Sequence, residues 1–196
     1  MVKTLIFALL ATMCATFLWG CGGKVSYTTV DGTMLGTTLH VVADVQGTSP
    51  QELYAAVMAL DREAKASMSI FDPASLLSRL NQTDSVDRHI AFNLRLADSI
   101  SSLSDGRYDV TVKPLVEAWG FAGKEAQENP NVDSILAFVG RQKVRIENGR
   151  LIKDDPRVQL DFNSIAKGYT VDLLAQLVES FGARNYIVDI GGEVRC

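Results

Sequence analysis

Val158-Gln159-Leu160-Asp161-Phe162-Asn163-Ser164-Ile165-Ala166-Lys167-Gly168-Tyr169-Thr170-Val171 decides the reading of this chain. Val158, Leu160 and Phe162 alternate with polar residues, which predicts a strand ending near Phe162. Asn163 and Ser164 are good N-cap residues, because their side chains accept from orphan backbone N–H groups, so a helix is predicted to open at one of them. Asp161, Ser164 and Lys167 lie three residues apart at that opening. A helix start favours anions, through its free N–H groups and its dipole. A carboxylate, a hydroxyl and an amine there suit a phosphate-bearing ligand, with or without a cation. An ordinary capped helix with solvated charges gives the same spacing.

Working outward, the helix continues with Ile165, Tyr169, Leu173 and Leu177 on one row and Leu174, Val178 and Phe181 beside it, and Gly182 stops it. Asn185-Tyr186-Ile187-Val188-Asp189-Ile190 reads as a buried strand, followed by Gly191-Gly192. Residues 160–190 are therefore predicted to form a strand–helix–strand unit. The last residues, Glu193-Val194-Arg195-Cys196, follow a buried strand without a capping element, so a C-terminally incomplete domain is expected.

Upstream, residues 25–30 and 36–45 read as two strands joined by a turn at Asp31-Gly32. Ser49-Pro50-Gln51-Glu52 is a capping-box helix start. Leu53, Ala56, Val57, Leu60 and Ala64 give that helix one apolar stripe. Asp72-Pro73 breaks the chain, and Ser75 caps a short helix reaching about Asn81. Phe71, in the loop before the break, is either a core plug or an aromatic placed to stack on a planar ligand. Leu96, Ile100 and Leu103 mark a helix ending at Asp105-Gly106. Residues 107–112 read as a strand, Pro114 opens a short helix that stops at Gly120, and residues 129–140 form another with Ile135, Leu136 and Val139 inward. Asn148-Gly149, between two alternating runs, predicts a hairpin. The fold class is α+β in one domain.

The bulk properties narrow the function. The chain has 196 residues, is 47% hydrophobic and 21% charged, and carries a formal charge of −4. It has no Lys/Arg run or basic stripe, which argues against nucleic acid as partner. The two histidines, His40 and His89, are far apart, so any metal needs oxygen ligands and would be a hard cation such as Mg²⁺. The three cysteines, Cys14, Cys21 and Cys196, make no disulfide framework.

Lys3 and an apolar run from Leu5 to Trp19 have the form of an export signal. Leu18-Trp19-Gly20-Cys21 resembles a bacterial lipobox, with bulky Trp19 where a small residue is usual. Residues 1–20 are thus expected to be a lipoprotein signal peptide, Cys21 the lipidated residue and residues 21–24 a tether. The alternative is a plain secretory signal that contains a cysteine. The expected location is the bacterial cell membrane, lipid-anchored on its periplasmic or extracytoplasmic face.

Five blocks together resemble one family. They are Leu35-Gly36-Thr37-Thr38; Met68-Ser69-Ile70-Phe71-Asp72 with Ser78-Arg79-Leu80-Asn81; Gly106-Arg107-Tyr108-Asp109-Val110-Thr111-Val112-Lys113-Pro114-Leu115 with Trp119-Gly120-Phe121; residues 160–169; and Ile190-Gly191-Gly192-Glu193. They follow the order of the M-G-T, M-S-x-Y…S-R-F-N, G-A-F-D-x-T-V-x-P-L…W-G-F, L-D-x-x-x-I-A-K-G-Y and I-G-G-E blocks of the FAD:protein FMN transferases of ApbE type. The resemblance spans nearly all of residues 25–196 and the N-terminal part of a family member.

The resemblance implies an enzyme that binds FAD and Mg²⁺, splits the pyrophosphate and transfers FMN by a phosphoester to a Thr or Ser of an acceptor redox protein. It implies FAD contacts at Leu35, Phe71, Arg107, Tyr108, Asp109, Asp161 and Lys167, and a metal ligand at Ser164. Leu35 stands where the family has Met, and Arg107 where it has a small Ala. The carboxylate and Thr metal ligands and the catalytic base are expected in a C-terminal part beyond Cys196, and activity only with that part present. A catalytically inactive lipoprotein that binds flavin or another nucleotide is the alternative. No D-x-x-[ST]-G-A-[ST] acceptor motif occurs in the chain, so self-flavinylation is not expected.

Overall fold

The computed structural model describes residues 26–80 and 84–196. Cys14, Cys21, the export signal and Asn81 lie outside the described residues. Strands β1 (Thr28–Met34), β2 (Thr37–Ala43), β5 (Tyr186–Ile190) and β6 (Glu193–Arg195) form an antiparallel sheet in the order β1-β2-β5-β6. A separate hairpin pairs β3 (Val144–Glu147) with β4 (Arg150–Lys153). The helices are α1 (Pro50–Met68), α2 (Leu76–Arg79), α3 (Arg88–Leu103), α4 (Lys113–Ala118), α5 (Val132–Leu136) and α6 (Ala166–Ser180). The α+β class holds.

Helices α1 and α6 cover one face of the sheet. Val30, Met34, Leu39, Val41, Val188 and Ile190 meet Leu53 and Val57 of α1 and Leu174 and Val178 of α6 there. A second apolar cluster lies beyond the end of α1, where Met68, Ile90, Leu94, Leu160, Phe162 and Tyr169 pack together. The stretch 158–171 joins the two clusters.

Several local signals act as read. Ser49 and Glu52 form the capping box of α1, Ser75 caps α2, and Asn148-Gly149 turns the β3–β4 hairpin with φ of 50° and 75°. At the end of α6, Gly182 (φ 82°) allows Ala183 N–H to reach back to the Val178 carbonyl at 3.2 Å, a Schellman-type stop.

Other expectations are corrected. The first hairpin turns at Leu35-Gly36, with φ of 52° and 79°, and not at Asp31-Gly32, which continue β1 opposite His40 and Leu39. A turn at Asp31-Gly32 would carry the fully buried Met34 off the core face, because register fixes which side chains point inward. On α3 the stripe Leu96, Ile100, Leu103 faces outward, Leu103 being 88% exposed. The buried face is His89, Ile90, Asn93, Leu94, Ala97 and Ser101. His89 enters the core because both ring nitrogens find partners, the Tyr169 hydroxyl and the Glu63 carboxylate, each at 2.9 Å. Phe92 instead stacks on Tyr169 at 4.7 Å, on the outside.

Residues 107–112 and 158–162 are not strands. They meet in one parallel bridge, Val112 with Gln159, and one hydrogen bond from Asp161 N–H to the Val110 carbonyl at 2.8 Å. The inward alternation of Val158, Leu160 and Phe162 is real, but their backbone has no ladder to join. The strand–helix–strand unit is therefore absent. β5 is antiparallel to both neighbours and interior to the sheet. Helix α5 is shorter than expected, capped by Asn131, with Leu136 outward and Gly140 at φ 143° closing the segment.

Helix α6 opens at Ala166, with Ile165 as N-cap and no side-chain cap. Asp161 Oδ1 accepts Asn163 N–H at 2.7 Å, and the Phe162 carbonyl accepts the N–H groups of Ile165 and Ala166. This tight turn uses up the position that Asn163 or Ser164 was expected to cap, and leaves both side chains free for other contacts.

Candidate functional site

A cleft of about 470 Å³ lies between the Leu35-Gly36 turn, the last turn of α1 with the loop after it, and the start of α6. Leu35, Phe71 and Lys167, which are far apart in sequence, line it together, with Lys65, Met68 and Asn163.

Each wall is held by specific bonds. Leu35 keeps a left-handed φ of 52°, costly for a residue with a Cβ, while its N–H donates to Asp61 Oδ1 at 2.8 Å. The Phe71 loop is pinned by Ser69, whose Oγ accepts the N–H groups of Phe71 (3.2 Å) and Asp72 (3.1 Å). The Ser69 carbonyl in turn accepts the Ser75 and Ser78 hydroxyls. The loop is ordered while the Phe71 ring stays 68% exposed, so it is no core plug. Lys167 Nζ sits 2.5 Å from Glu193 Oε2 and donates to the Gly191 carbonyl at 3.2 Å. Lys65 Nζ donates to Asp61 Oδ2 at 2.6 Å. Two lysines therefore line one cleft beside an exposed aromatic ring.

Next to the opening of α6 lies a second group. Ser164 Oγ and the Tyr108 hydroxyl are 2.8 Å apart. Burial pushes the Tyr108 phenol up; the Ser164 bond opposes this, and the Asp161 and Asp109 charges add to the rise. Asp161 is itself buried and turned toward Asn163 N–H.

Two sequence-assigned residues go elsewhere. Asp109 is committed to the fold: Oδ1 accepts from Thr111 N–H and Oγ1, and Oδ2 from Arg141 N–H at 2.8 Å. It lines a different cavity, with Val110 and Arg141. Arg107 is exposed and does not line the Leu35–Phe71–Lys167 cleft.

A sequence profile of the ApbE family matches residues 35–196. The chain belongs to the ApbE family. It is 33% identical to an FAD:protein FMN transferase of Haemophilus influenzae, over 99% of this chain and 61% of that protein. It is also 33% identical to one of Vibrio cholerae, over 95% of this chain and 59% of that protein. Among solved structures, the flavin transferase ApbE from Vibrio cholerae matches with a TM-score of 0.80 at 31% identity, over 87% of this chain and 59% of that one. The apo flavinyl transferase ApbE of Pseudomonas stutzeri gives 0.80 at 28% identity, over 87% and 60%. The chain thus spans about three-fifths of the length of these ApbE relatives.

The ApbE-type expectation of a magnesium ligand at Ser164 can be weighed against the local donors. Magnesium takes near-octahedral oxygen, usually with a carboxylate. Ser164 Oγ is bonded to Tyr108, Asp161 Oδ1 is bonded to Asn163, and no group of three His, Cys, Asp or Glu placed to hold a metal occurs among the described residues. These side chains do not make a magnesium site by themselves. No helix among the described residues is long and apolar enough to cross a membrane.

Sequence reasoning passed over Asp61, Lys65 and Glu193. Asp61 had a visible signal: it sits on the buried row of α1 between Val57 and Ala64, where a carboxylate must have partners. Glu193 belongs to the Gly-Gly-Glu turn, but its pairing with Lys167 depends on the β5–β6 hairpin folding back over α6.

Proposed function

We propose that this protein is an FAD:protein FMN transferase, and that the cleft between Leu35, Phe71 and Lys167 holds FAD. One observation carries the reading: a flat, solvent-facing aromatic ring and two lysines, Lys65 and Lys167, line the same cleft. Phe71 offers a face for the planar isoalloxazine, in the offset-stacked manner of aromatic pairs. The two lysines offer positive charge for a pyrophosphate. Both already have carboxylate partners, Asp61 and Glu193, so they are held in place before a ligand arrives.

The reaction is phosphoryl transfer. A Thr or Ser hydroxyl oxygen of an acceptor redox protein attacks the FMN phosphorus, the bond between that phosphorus and the bridging oxygen breaks, AMP leaves, and the hydroxyl proton passes to a base or to water. Neutralised phosphate charge and a fixed in-line geometry are what such a transfer needs. Magnesium dependence is part of the proposal, supported by the resemblance to the family; no step is assigned to the ion. A lipid anchor at Cys21, on the periplasmic or extracytoplasmic face of the bacterial cell membrane, completes it and rests on the lipobox alone. Replacing Cys21 by Ser abolishes acyl labelling if the anchor exists; unchanged labelling rules it out.

The test of the activity is incubation of the chain, extended to the full length of its ApbE relatives, with FAD, MgCl₂ and an acceptor protein, followed by mass analysis of the acceptor. The expected result is magnesium-dependent addition of FMN to a Thr or Ser, lost on replacing Phe71 or Lys167 by Ala. An acceptor that stays unmodified while FAD is bound contradicts transfer.

A further inference from the structure

Asp61 carries the next inference. It lies on the apolar row of α1, between Val57 and Ala64, and is 7% exposed. A carboxylate there needs partners for its desolvated oxygens. One partner comes from a distant hairpin and the other from the next turn of the same helix. Oδ1 accepts the N–H of Leu35, 26 residues away, at 2.8 Å. Oδ2 accepts from Lys65 Nζ, one turn further along α1, at 2.6 Å.

Leu35 occupies a two-residue hairpin turn with φ 52°, a place where Asn, Asp or Gly is the usual choice. The chain puts a bulky apolar residue there and ties its N–H from outside the hairpin. Strained backbone of this kind persists when its surroundings hold it, and gathers at ligand clamps. Both groups that Asp61 holds, the Leu35 turn and the Lys65 ammonium, line the same cleft.

We propose that Asp61 is a positioning residue for the ligand of this cleft. Its Oδ1 fixes the Leu35 side chain as an apolar wall for the ring system. Its Oδ2 holds the Lys65 ammonium, which makes Lys65 a phosphate-binding residue beside Lys167. The ligand class, a flavin carrying a phosphate or pyrophosphate, rests on the FAD reading above.

Two variants separate the two jobs. Asp61→Asn keeps an amide oxygen that can accept the Leu35 N–H, but offers Lys65 no charge. Asp61→Leu fills the volume and leaves the Leu35 N–H without an acceptor. The measurements are FAD and riboflavin titration, the visible spectrum of the bound flavin, and amide hydrogen exchange of the segment 34–36. The expected result for Asp61→Asn is roughly tenfold weaker FAD binding, the size of one charge-assisted bond from a positioned Lys65 to a phosphate, lost once the ammonium is no longer held; tighter FAD binding, as removal of a negative charge alone would give, overturns the positioning role. Its riboflavin affinity, flavin spectrum and exchange protection stay near those of the unaltered protein. Lys65→Ala is expected to follow the same pattern. Asp61→Leu loses protection at Leu35, weakens both ligands and shifts the spectrum.

Unchanged exchange and unchanged affinities in Asp61→Leu overturn the proposal. So does equal weakening of FAD and riboflavin by Asp61→Asn, which would remove the link between Asp61 and the phosphates. If the unaltered protein binds neither ligand, the FAD reading fails, and the ligand role of Asp61 fails with it. Exchange at Leu35 in Asp61→Leu then still decides whether Asp61 holds the turn.

Discussion

The Tyr108 hydroxyl and Ser164 Oγ meet at 2.8 Å across 56 residues of chain. The contact ties the block around Gly106-Arg107-Tyr108-Asp109 to the opening of α6. It also occupies the hydroxyl that the resemblance to the ApbE family implies as a metal ligand. Replacing Tyr108 by Phe frees that hydroxyl and leaves the ring packing. The expected outcome is a folded protein with weakened FAD binding, read by titration.

The Tyr108 phenol also sets an alkaline limit. Burial raises it above the ordinary tyrosine value, and a group raised in the folded state stabilises the fold below its unfolded value. That stability is lost as pH rises through the raised value. Tyr169 and Tyr186 are raised too, by burial and by the hydrogen bond to Glu179 respectively, so ultraviolet titration should find several phenols ionising above pH ~10, the ordinary range, and one fewer of them in Tyr108→Phe.

Asp155 sets an acidic limit. Its hydrogen bonds from the Arg157 guanidinium and from Arg157 N–H hold its carboxyl at about 2, below the 3.8 of a free carboxyl. A depressed carboxyl stabilises the fold above its unfolded value, and that contribution is lost as pH falls from 3.8 toward about 2. Carboxyl NMR should show Asp155 titrating in that window. Asp155→Asn should remove that one contribution to the acid dependence, with Asp44, Glu52, Glu63 and Asp84 still lowered, and release Arg157 from its place over the Phe138 ring.

Gly191 is expected to tolerate no side chain. A Cβ there falls 2.5 Å from Thr37 Oγ1, and its φ of 56° is left-handed. Its carbonyl also accepts from Lys167 Nζ. Gly191→Ala should cost about 1–3 kcal/mol, the usual range for overpacking, and weaken FAD binding by moving Lys167. Thr37→Ala in the same chain should restore part of the stability but not the backbone strain, as thermal unfolding would report.

His89 bridges Tyr169 and Glu63 inside the second cluster. His89→Leu leaves the Tyr169 hydroxyl without that partner and should cost about 1–3 kcal/mol, the cost of a buried polar group left unpaired. A stability change under ~0.5 kcal/mol, as at an ordinary surface site, would count against this bridge.

What the sequence shows most clearly is chemistry that closes within a few residues. The Ser49–Glu52 capping box, the Asn148-Gly149 turn and the Gly182 stop need only neighbours along the chain. What it hides depends on distant partners. His89 and Asn93 turn inward on α3 because Tyr169, Glu63 and Met68 receive them, while Leu96 and Leu103 face out. Leu35 turns the first hairpin with its N–H tied to Asp61, against the local preference for Asp31-Gly32. Val158, Leu160 and Phe162 alternate like a strand yet find no ladder. The site divides in the same way. Leu35, Phe71 and Lys167 share a cleft as the blocks of sequence suggest. Asp109 does not join them, because Thr111 and Arg141 claim its carboxylate, and Lys65 and Glu193 enter only through folding.

FAD titration of the unaltered protein beside Phe71→Ala and Lys167→Ala decides whether this cleft is the flavin site. Saturable binding of one FAD per chain is expected, weakened roughly tenfold or more by each substitution, as when a stacking face or a charged phosphate partner is lost. FAD binding that is absent, or that ignores both substitutions, would contradict this assignment of the site.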